Sequence, residues 1–413
     1  MARLMKDSGV EWIGMMPDGW RIEKGKHVLV YLERPIKDTD SVVTCFRDGQ
    51  VTLRSNRREL GFTVSLQEIG YKGVEPGDLV VHGMDGFAGS IGISDSRGKC
   101  SPVLNILDSE EDKTFLMYYL RMMAYGNVFL ALSTGIRERT CDTNWNKLKE
   151  LPYPVPGRDV QNMIASTLTS KCAEIDKVVE QTRATIEEYK KLKQAIITEA
   201  VTKGVRGPRS MKPSGVEWIG DIPEGWKKVS LKYLCRMNAG DSLSSLDILP
   251  KGDYPVYGGN GLRGFYSSSN CKGPIILIGR QGALCGNVHL VDGDFWATEH
   301  AVITRFTPDI FMQYGYYLLV AMNLGQYVSP SAAQPGLSVS KISSITATIP
   351  SISEQQEIAT YLDAKCAEID RIIQKKEQLI EELGNYKKSL IYECVTGKKE
   401  VKTNMELKVP YSN

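Results

Sequence analysis

Long apolar runs are missing from this 413-residue sequence. Stretches such as Ile275 to Ile278 or Tyr316 to Met322 fall far short of the ~20 residues that a membrane helix needs. Met1 to Asp7 lacks the apolar core of a signal peptide. An excess of one charge is missing too: 51 Lys and Arg face 49 Asp and Glu. The whole-molecule field therefore gives no drive toward nucleic acid, and any DNA-binding face must be local or completed by a partner. Nine cysteines, at positions 45, 100, 141, 172, 235, 271, 285, 366 and 394, form no Cys-x-x-Cys pair, which points to reduced thiols rather than a disulfide framework. Together these absences predict a soluble, cytoplasmic protein.

Catalytic motifs are equally scarce. There are four histidines with no constellation around them, no Gly-x-Ser-x-Gly, no His-Glu-x-x-His and no phosphate-cradling Gly-Lys-Ser/Thr loop. The Asn/Asp-Pro-Pro-aromatic tetrapeptide with which amino-methyltransferases hold a flipped base is absent as well. Gly259-Asn260-Gly261-Leu262-Arg263-Gly264 spells a dinucleotide fingerprint, but the following Phe265-Tyr266-Ser267-Ser268-Ser269-Asn270 is no helix and offers no dipole to a pyrophosphate. Cys285 and His289, with Cys271 and His300 nearby, are single ligands where structural zinc sites show pairs. The expectation is a chain without catalytic residues, metal or cofactor of its own.

What is present is a repeat. Ser8-Gly9-Val10-Glu11-Trp12-Ile13-Gly14 with Pro17-Asp18-Gly19-Trp20 returns as Ser214-Gly215-Val216-Glu217-Trp218-Ile219-Gly220 with Pro223-Glu224-Gly225-Trp226, a shift from 8 to 214, or 206 residues. Lys171-Cys172-Ala173-Glu174-Ile175-Asp176 returns as Lys365-Cys366-Ala367-Glu368-Ile369-Asp370, a shift from 171 to 365, or 194. The copies share their ends and differ in their middles, as a duplicated unit with a shorter second middle would.

Within each copy the Trp-bearing opening reads as a short arm closed by a tight turn, with Trp12 and Trp20 as packing anchors. The first middle has short β-like runs at Val28 to Leu32, Val42 to Phe46, Asp78 to Val81 and Ser90 to Ile93, then a helix from Lys113 to Tyr125. The second has a turn-rich loop from Tyr254 to Gly261, a buried strand at Ile275 to Ile278 and a helix from Phe311 to Met322.

After Pro152-Tyr153-Pro154-Val155-Pro156, residues 159 to 203 carry no Pro or Gly, which predicts a helix of about 60 Å. Its copy follows Pro350, where Ser353-Glu354-Gln355-Gln356 fits a capping box, and ends near Gly397. Steps of four and three pick out Leu168, Cys172, Ile175, Val179, Ile186, Tyr189 and Ile196 in the first, and Leu362, Cys366, Ile369, Ile373, Ile380, Leu383 and Leu390 in the second. Both are heptad seams, broken by Thr182 and Lys193 in one and by Lys376 and Lys387 in the other. A seam needs a partner, and two helices related by a pseudo-two-fold axis across them meet antiparallel. The alternative is that each helix packs on its own globular domain.

Recognition chemistry concentrates where the copies differ. The first middle offers Arg54, Asn56, Arg57, Arg58, Arg137 and Arg139; the second offers Tyr257, Asn260, Arg263, Arg280, Gln281, Asn287 and Gln334. Arg reads guanine edges, Asn and Gln read adenine, and cations neutralise phosphates.

The doubled Ser-Gly-Val-Glu-Trp-Ile-Gly with Pro-x-Gly-Trp, the variable middle, the Pro, the Gln (Gln161 and Gln355) and the long helix resemble the specificity subunits of Type I restriction-modification systems. Val74 to Val80 and Ile278 to Gly282 are further family-like stretches. The resemblance implies an α+β fold: two mixed α/β target-recognition domains separated by two long antiparallel helices that form a coiled-coil rod, with an internal pseudo-two-fold repeat. The expected division is 1–156 (first recognition domain with its Trp arm), 157–205 (first helix), 206–350 (second recognition domain with its arm), 351–397 (second helix) and 398–413 (polar tail). It further implies a non-catalytic reader of a bipartite, asymmetric double-stranded DNA target. Two methyltransferase subunits and the restriction subunits would join it, the helix pair would set the half-site spacing, and S-adenosylmethionine would sit on the methyltransferase partner. The competing readings are a self-contained DNA methyltransferase or nuclease with a degenerate site, and a structural coiled-coil scaffold.

Overall fold

The first unit begins with the arm that the repeat marks. In the computed structural model, which describes residues 3–57, 68–132, 143–282, 285–328 and 336–401, the chain divides into Met1–Gln181 with Gln378–Asn413, and Thr182–Glu377. In the first unit Met5–Asp7 pairs antiparallel with Met15–Pro17. Gly9 and Gly14 turn the chain between them at φ 66° and 64°, a region costly for residues with a Cβ. Trp20 is buried edge-on to Phe115, ring centroids 6.4 Å apart, and Trp12 Nε1 donates to Tyr119 Oη at 3.0 Å. Both tryptophans anchor the arm by packing, as expected.

The variable domain is pinned at its ends, because Arg21–Lys24 pairs antiparallel with Pro152–Val155. Between them lies an antiparallel sheet in the spatial order Val30–Tyr31, Leu104–Asp108, Leu79–His82, Ile91–Ile93. Successive side chains point to opposite faces. Leu79, Val81 and Leu107 therefore meet the helix Lys113–Tyr125, while Val80, Leu104 and Ile106 meet the hairpin Val43–Cys45/Val51–Leu53. The strand expected from Val28 is shortened, because Gly25–Val28 closes one helical turn. The helix Lys113–Tyr125 has the bounds read from sequence, and Asp112 caps it by accepting from Phe115 N at 2.8 Å.

The second unit repeats this frame. Met211–Pro213 pairs with Asp221–Pro223, and Lys227–Ser230 pairs with Thr346–Ile349. The sheet runs Cys235–Ala239, Ala301–Phe306, Ile275–Gly279, Val288–Val291, with the helix Met312–Ala321 on one face. Its other face carries a second sheet, Gly261–Tyr266, Tyr254–Gly258, Asp294–Ala297, Cys271–Lys272. Residues 254–261, expected as a loop, are a hairpin turning over Gly259 and Asn260. Alternating burial of Val256 and Gly258 and the positive φ of Gly261, 90°, outweigh the turn-rich composition.

The long helices span Arg158–Lys203, 46 residues, and Ile352–Val395, 44 residues, about 69 and 66 Å at 1.5 Å per residue. Gly204 and Gly397, at φ 78° and 71°, follow their C-termini. The second helix starts earlier than the expected box. Ser351 Oγ accepts from Glu354 N at 3.4 Å, and the Glu354 carboxylate is taken by Trp226 Nε1 at 3.1 Å and by Arg209 at 2.5 Å.

In the first unit Leu168, Cys172 and Ile175 are buried with Leu390, Ile391 and Cys394, and Val179 and Leu383 are half-buried beside them. In the second, Leu362, Cys366, Ile186 and Ile369 are buried, while Tyr189 and Ile373 are half-buried; Ile380, which belongs to the first unit, is half-buried as well. The lysines that break the seams reach across them: Lys387 meets Asp176 at 2.7 Å in the first unit, and Lys193 meets Asp370 at 2.6 Å in the second. These pairs interconvert under the 194-residue shift, and numbers rise in one helix as they fall in the other, so the pairing is antiparallel. Past Lys193 the buried stripe moves from half-buried Ile196 to Ile197, Ala200 and Val201. There the helix also faces the core of its domain, and a 3.6-residue turn drifts from a seam of period 3.5. The two packing alternatives thus coexist, since each seam merges with a domain core.

Gly384 lies within the second long helix, and a Cβ there would meet nothing within 4 Å. Gly384→Ala is expected to raise stability by about 1 kcal/mol, read as a higher urea midpoint at unchanged slope.

Candidate nucleic-acid interface

In the second unit the strand Ile275–Gly279 runs into the turn Arg280-Gln281. Arg280 N donates to His300 O at 2.9 Å, and Gln281 Oε1 lies 2.7 Å from His300 Nδ1. The hairpin tip abuts this turn: a Cβ on Gly259 would come within 2.9 Å of His300 O and 3.0 Å of Gln281 O, so glycine is needed for the approach. Arg263 lies along Gly258, and Asn260 is exposed at the tip. Arg263, Arg280, Gln281 and Asn260 therefore gather at one end of this domain, and among the described residues no partner holds either guanidinium. Tyr257 sits deeper, edge-on to Phe295 with centroids 5.6 Å apart. Asn287 is exposed on the neighbouring turn, its carbonyl accepting from Gly279 N at 2.8 Å. His300 belongs to the group, although the sequence singled it out only beside Cys271, Cys285 and His289 as a would-be zinc side chain.

In the first unit Arg54 opens the short turn Arg54–Asn56, and its Nε donates to Thr44 Oγ1 at 3.4 Å. Asn56 Nδ2 donates to Thr52 Oγ1 at 2.9 Å. Arg57 pairs with Asp48 at 2.5 Å and covers the Phe46 ring at 4.4 Å. Asn56 and Arg57 thus brace their own hairpin. Arg54 walls a cleft of about 300 Å³ with Thr44, Phe46, Arg47, His82 and Asp85. Arg58, Arg137, Arg139 and Gln334 lie outside the described residues.

A larger cavity of about 830 Å³ opens in the second unit, lined by Lys193, Tyr316, Tyr317, Val320, Asp363 and Asp370 among others. Its charges are satisfied internally: Lys193 pairs with Asp370, and Asp363 accepts from Gln313 Nε2 and Tyr317 Oη, each at 2.7 Å. At the position corresponding to Val320, the first unit has Arg121, which donates to Ile91 O at 2.8 Å and Gly49 O at 3.0 Å.

The candidate zinc side chains do not converge. Cys271 is buried in a sheet core, Cys285 Sγ donates to Arg280 O at 3.0 Å, and His300 is bound to Gln281. His289 lies under Gly261 with Nε2 buried, and burial lowers its pKa. Among the described residues no group of three or more His, Cys, Asp or Glu is placed to hold a metal ion, and no helix is long and apolar enough to cross a membrane. The described cysteines are free. Burial pushes Cys45, Cys100 and Cys235 up to about 12 and raises Cys172 and Cys366, so the seam thiols are packing groups.

The sequence pattern of the Type I restriction modification DNA specificity domain matches residues 223–382. The chain is 44% identical over 147 residues to the Type I restriction enzyme EcoprrI specificity subunit of Escherichia coli, 35% of this chain and 36% of that one. It is 24% identical over 280 residues to the MjaVIII specificity subunit of Methanocaldococcus jannaschii, 62% of this chain and 63% of that one. The matched stretches thus span less than two thirds of these relatives. A solved structure concerned with complex assembly and conformational transition of the type I R-M system contains a chain of the same fold. Its TM-score is 0.71 at 14% identity, covering 93% of this chain and 99% of that one.

Proposed function

We propose that the chain is a specificity subunit of a Type I restriction-modification system, that it reads a bipartite, asymmetric double-stranded DNA sequence, and that it directs partner methyltransferase and restriction subunits to it in the cytoplasm. One observation carries this reading: the frame repeats down to single hydrogen bonds, while the tips it presents differ. Gly25 N to Leu151 O recurs as Leu231 N to Ile345 O, each 2.9 Å. The ends of the domains, by contrast, offer Arg54, Arg47 and His82 in one and Asn260, Arg263, Arg280 and Gln281 in the other. Equal frames with unlike tips suit two different half-sites.

Each domain reads one half-site. The continuous helices suit a ruler, with half-sites one helical turn of DNA, about 34 Å, apart. Identity between the copies extends to exposed positions that packing does not constrain. Lys171 pairs with Glu174 at 2.8 Å and Lys365 with Glu368 at 3.1 Å, all four side chains solvent-facing. Two equal exposed patches fit two copies of one methyltransferase subunit. That partner supplies S-adenosylmethionine and extrudes the target base, and this chain performs no catalytic step. Methylome sequencing of a host carrying this chain with its neighbouring methyltransferase gene, against the methyltransferase alone, tests the proposal. A split motif that depends on this chain is expected; a soluble complex that writes no new motif would refute it.

A further inference from the structure

The turn that carries Arg280 and Gln281 has a counterpart in the first domain that the sequence does not advertise. Leu79–His82 occupies the same place in its sheet as Ile275–Gly279. The turns after them are tied identically: Gly83 N donates to Val103 O at 2.8 Å as Arg280 N does to His300 O at 2.9 Å. Likewise Thr143 N donates to Gly83 O at 3.0 Å as Leu337 N does to Arg280 O at 2.9 Å. At the head of the first turn stands His82, on the wall of the 300 Å³ cleft that also holds Arg54.

The imidazole is fixed by its own turn. Nδ1 accepts from Met84 N at 3.2 Å and from Asp85 N at 3.0 Å. Two donors aimed at one nitrogen require its lone pair, so the proton resides on Nε2. Burial lowers the pKa of the ring, which keeps this tautomer neutral. Nε2–H meets no acceptor among the described residues. It is a preset donor whose orientation has already been settled, and Arg47 beside it is held by Asp85 at 3.1 Å.

We propose that this turn is a shared reading position in both domains, and that in the first domain His82 donates Nε2–H to a hydrogen-bond acceptor on a base edge, setting specificity at one base pair of that half-site. The inference rests on the proposed function and adds a residue and a ligand atom type to it. A neutral donor suits a base acceptor such as guanine N7 or O6, or thymine O4; a phosphate would favour a cation.

Two near-isosteric substitutions separate reading from folding. His82→Asn can place its amide oxygen near the position of Nδ1 and keep the turn's acceptor, but it has no donor at Nε2. His82→Gln can place its amide nitrogen near Nε2 and gives up the acceptor. Each variant is purified in complex with the methyltransferase, and its binding is measured on duplexes bearing every single base-pair change in the target, with thermal unfolding alongside. His82→Asn is expected to keep the melting temperature and lose about ten- to a hundred-fold discrimination at one position of one half-site. His82→Gln is expected to melt lower and keep that discrimination. Unchanged discrimination in His82→Asn would overturn the assignment. So would a uniform weakening on all duplexes with a shallower salt dependence, which marks a phosphate contact. A parent complex without any split preference would instead refute the proposed function, a result visible before either variant is tested.

Discussion

On the proposed function, exchanging residues 25–151 for the corresponding insert of a Type I specificity subunit is expected to change one half of the methylated sequence and leave the other half intact. The expected effect is a loss of recognition of the original half-site on the order of a thousand-fold or more, the lower bound of specific over non-specific DNA binding. The junctions are chosen by the fold. Arg21–Lys24 and Pro152–Val155 pair along their whole length and remain in place, and the bond from Gly25 N to Leu151 O is one that the second unit repeats. The insert must bring a helix able to pack on Trp20 and to meet Gln161, as Lys113–Tyr125 does through Phe115 and its cap. Methylome sequencing reads the outcome. A change in both half-sites, or in neither with a folded complex, would show that the domains do not read independently.

Gln161→Leu and Gln355→Leu will each cost about 3 kcal/mol, because each leaves one buried backbone carbonyl and at least one part-buried backbone group without its partner, at about 1 to 3 kcal/mol apiece. Both side chains are fully buried. Gln161 Oε1 accepts from Asp112 N at 2.8 Å, and its Nε2 donates to Pro156 O at 2.8 Å. Gln355 does the same with Phe311 N at 2.7 Å and Pro350 O at 3.2 Å, and adds Asp309 O at 3.1 Å. Each glutamine ties the start of a long helix to the start of the domain helix. At about 2 to 4 °C per kcal/mol for units of this size, a fall of roughly 6 to 12 °C in melting temperature is expected. Hydrogen exchange should quicken at Asp112 in the first variant and at Phe311 in the second. A melting temperature within 1 °C of the parent would mean that water replaces the side chain, and the brace would be refuted.

Much of this architecture is legible without coordinates. Repetition of Trp12, Trp20 and Lys171 to Asp176 announces two equal frames, because identical sequence must solve the same packing problem twice. Residues 159–203 announce a helix because nothing in them breaks one, and the domain helix is read to its bounds from Lys113 to Tyr125. What repeated sequence does not convey is how the unlike middles use their residues, since there each side chain answers to neighbours distant in sequence. Asn56 and Arg57 have the composition of readers, yet Thr52, Asp48 and Phe46 hold them. Residues 254–261 look like a loop, yet alternate burial folds them into a hairpin. His82 is singled out by no motif, yet two backbone donors preset it to donate. Sequence by itself determined the duplicated frame, the long helices and the antiparallel seam, because these follow from local propensity, period and symmetry. Tertiary structure alone decided which polar groups converge at the domain tips, because convergence of a strand end, a hairpin and a turn depends on sheet order and long-range hydrogen bonds that no local pattern encodes.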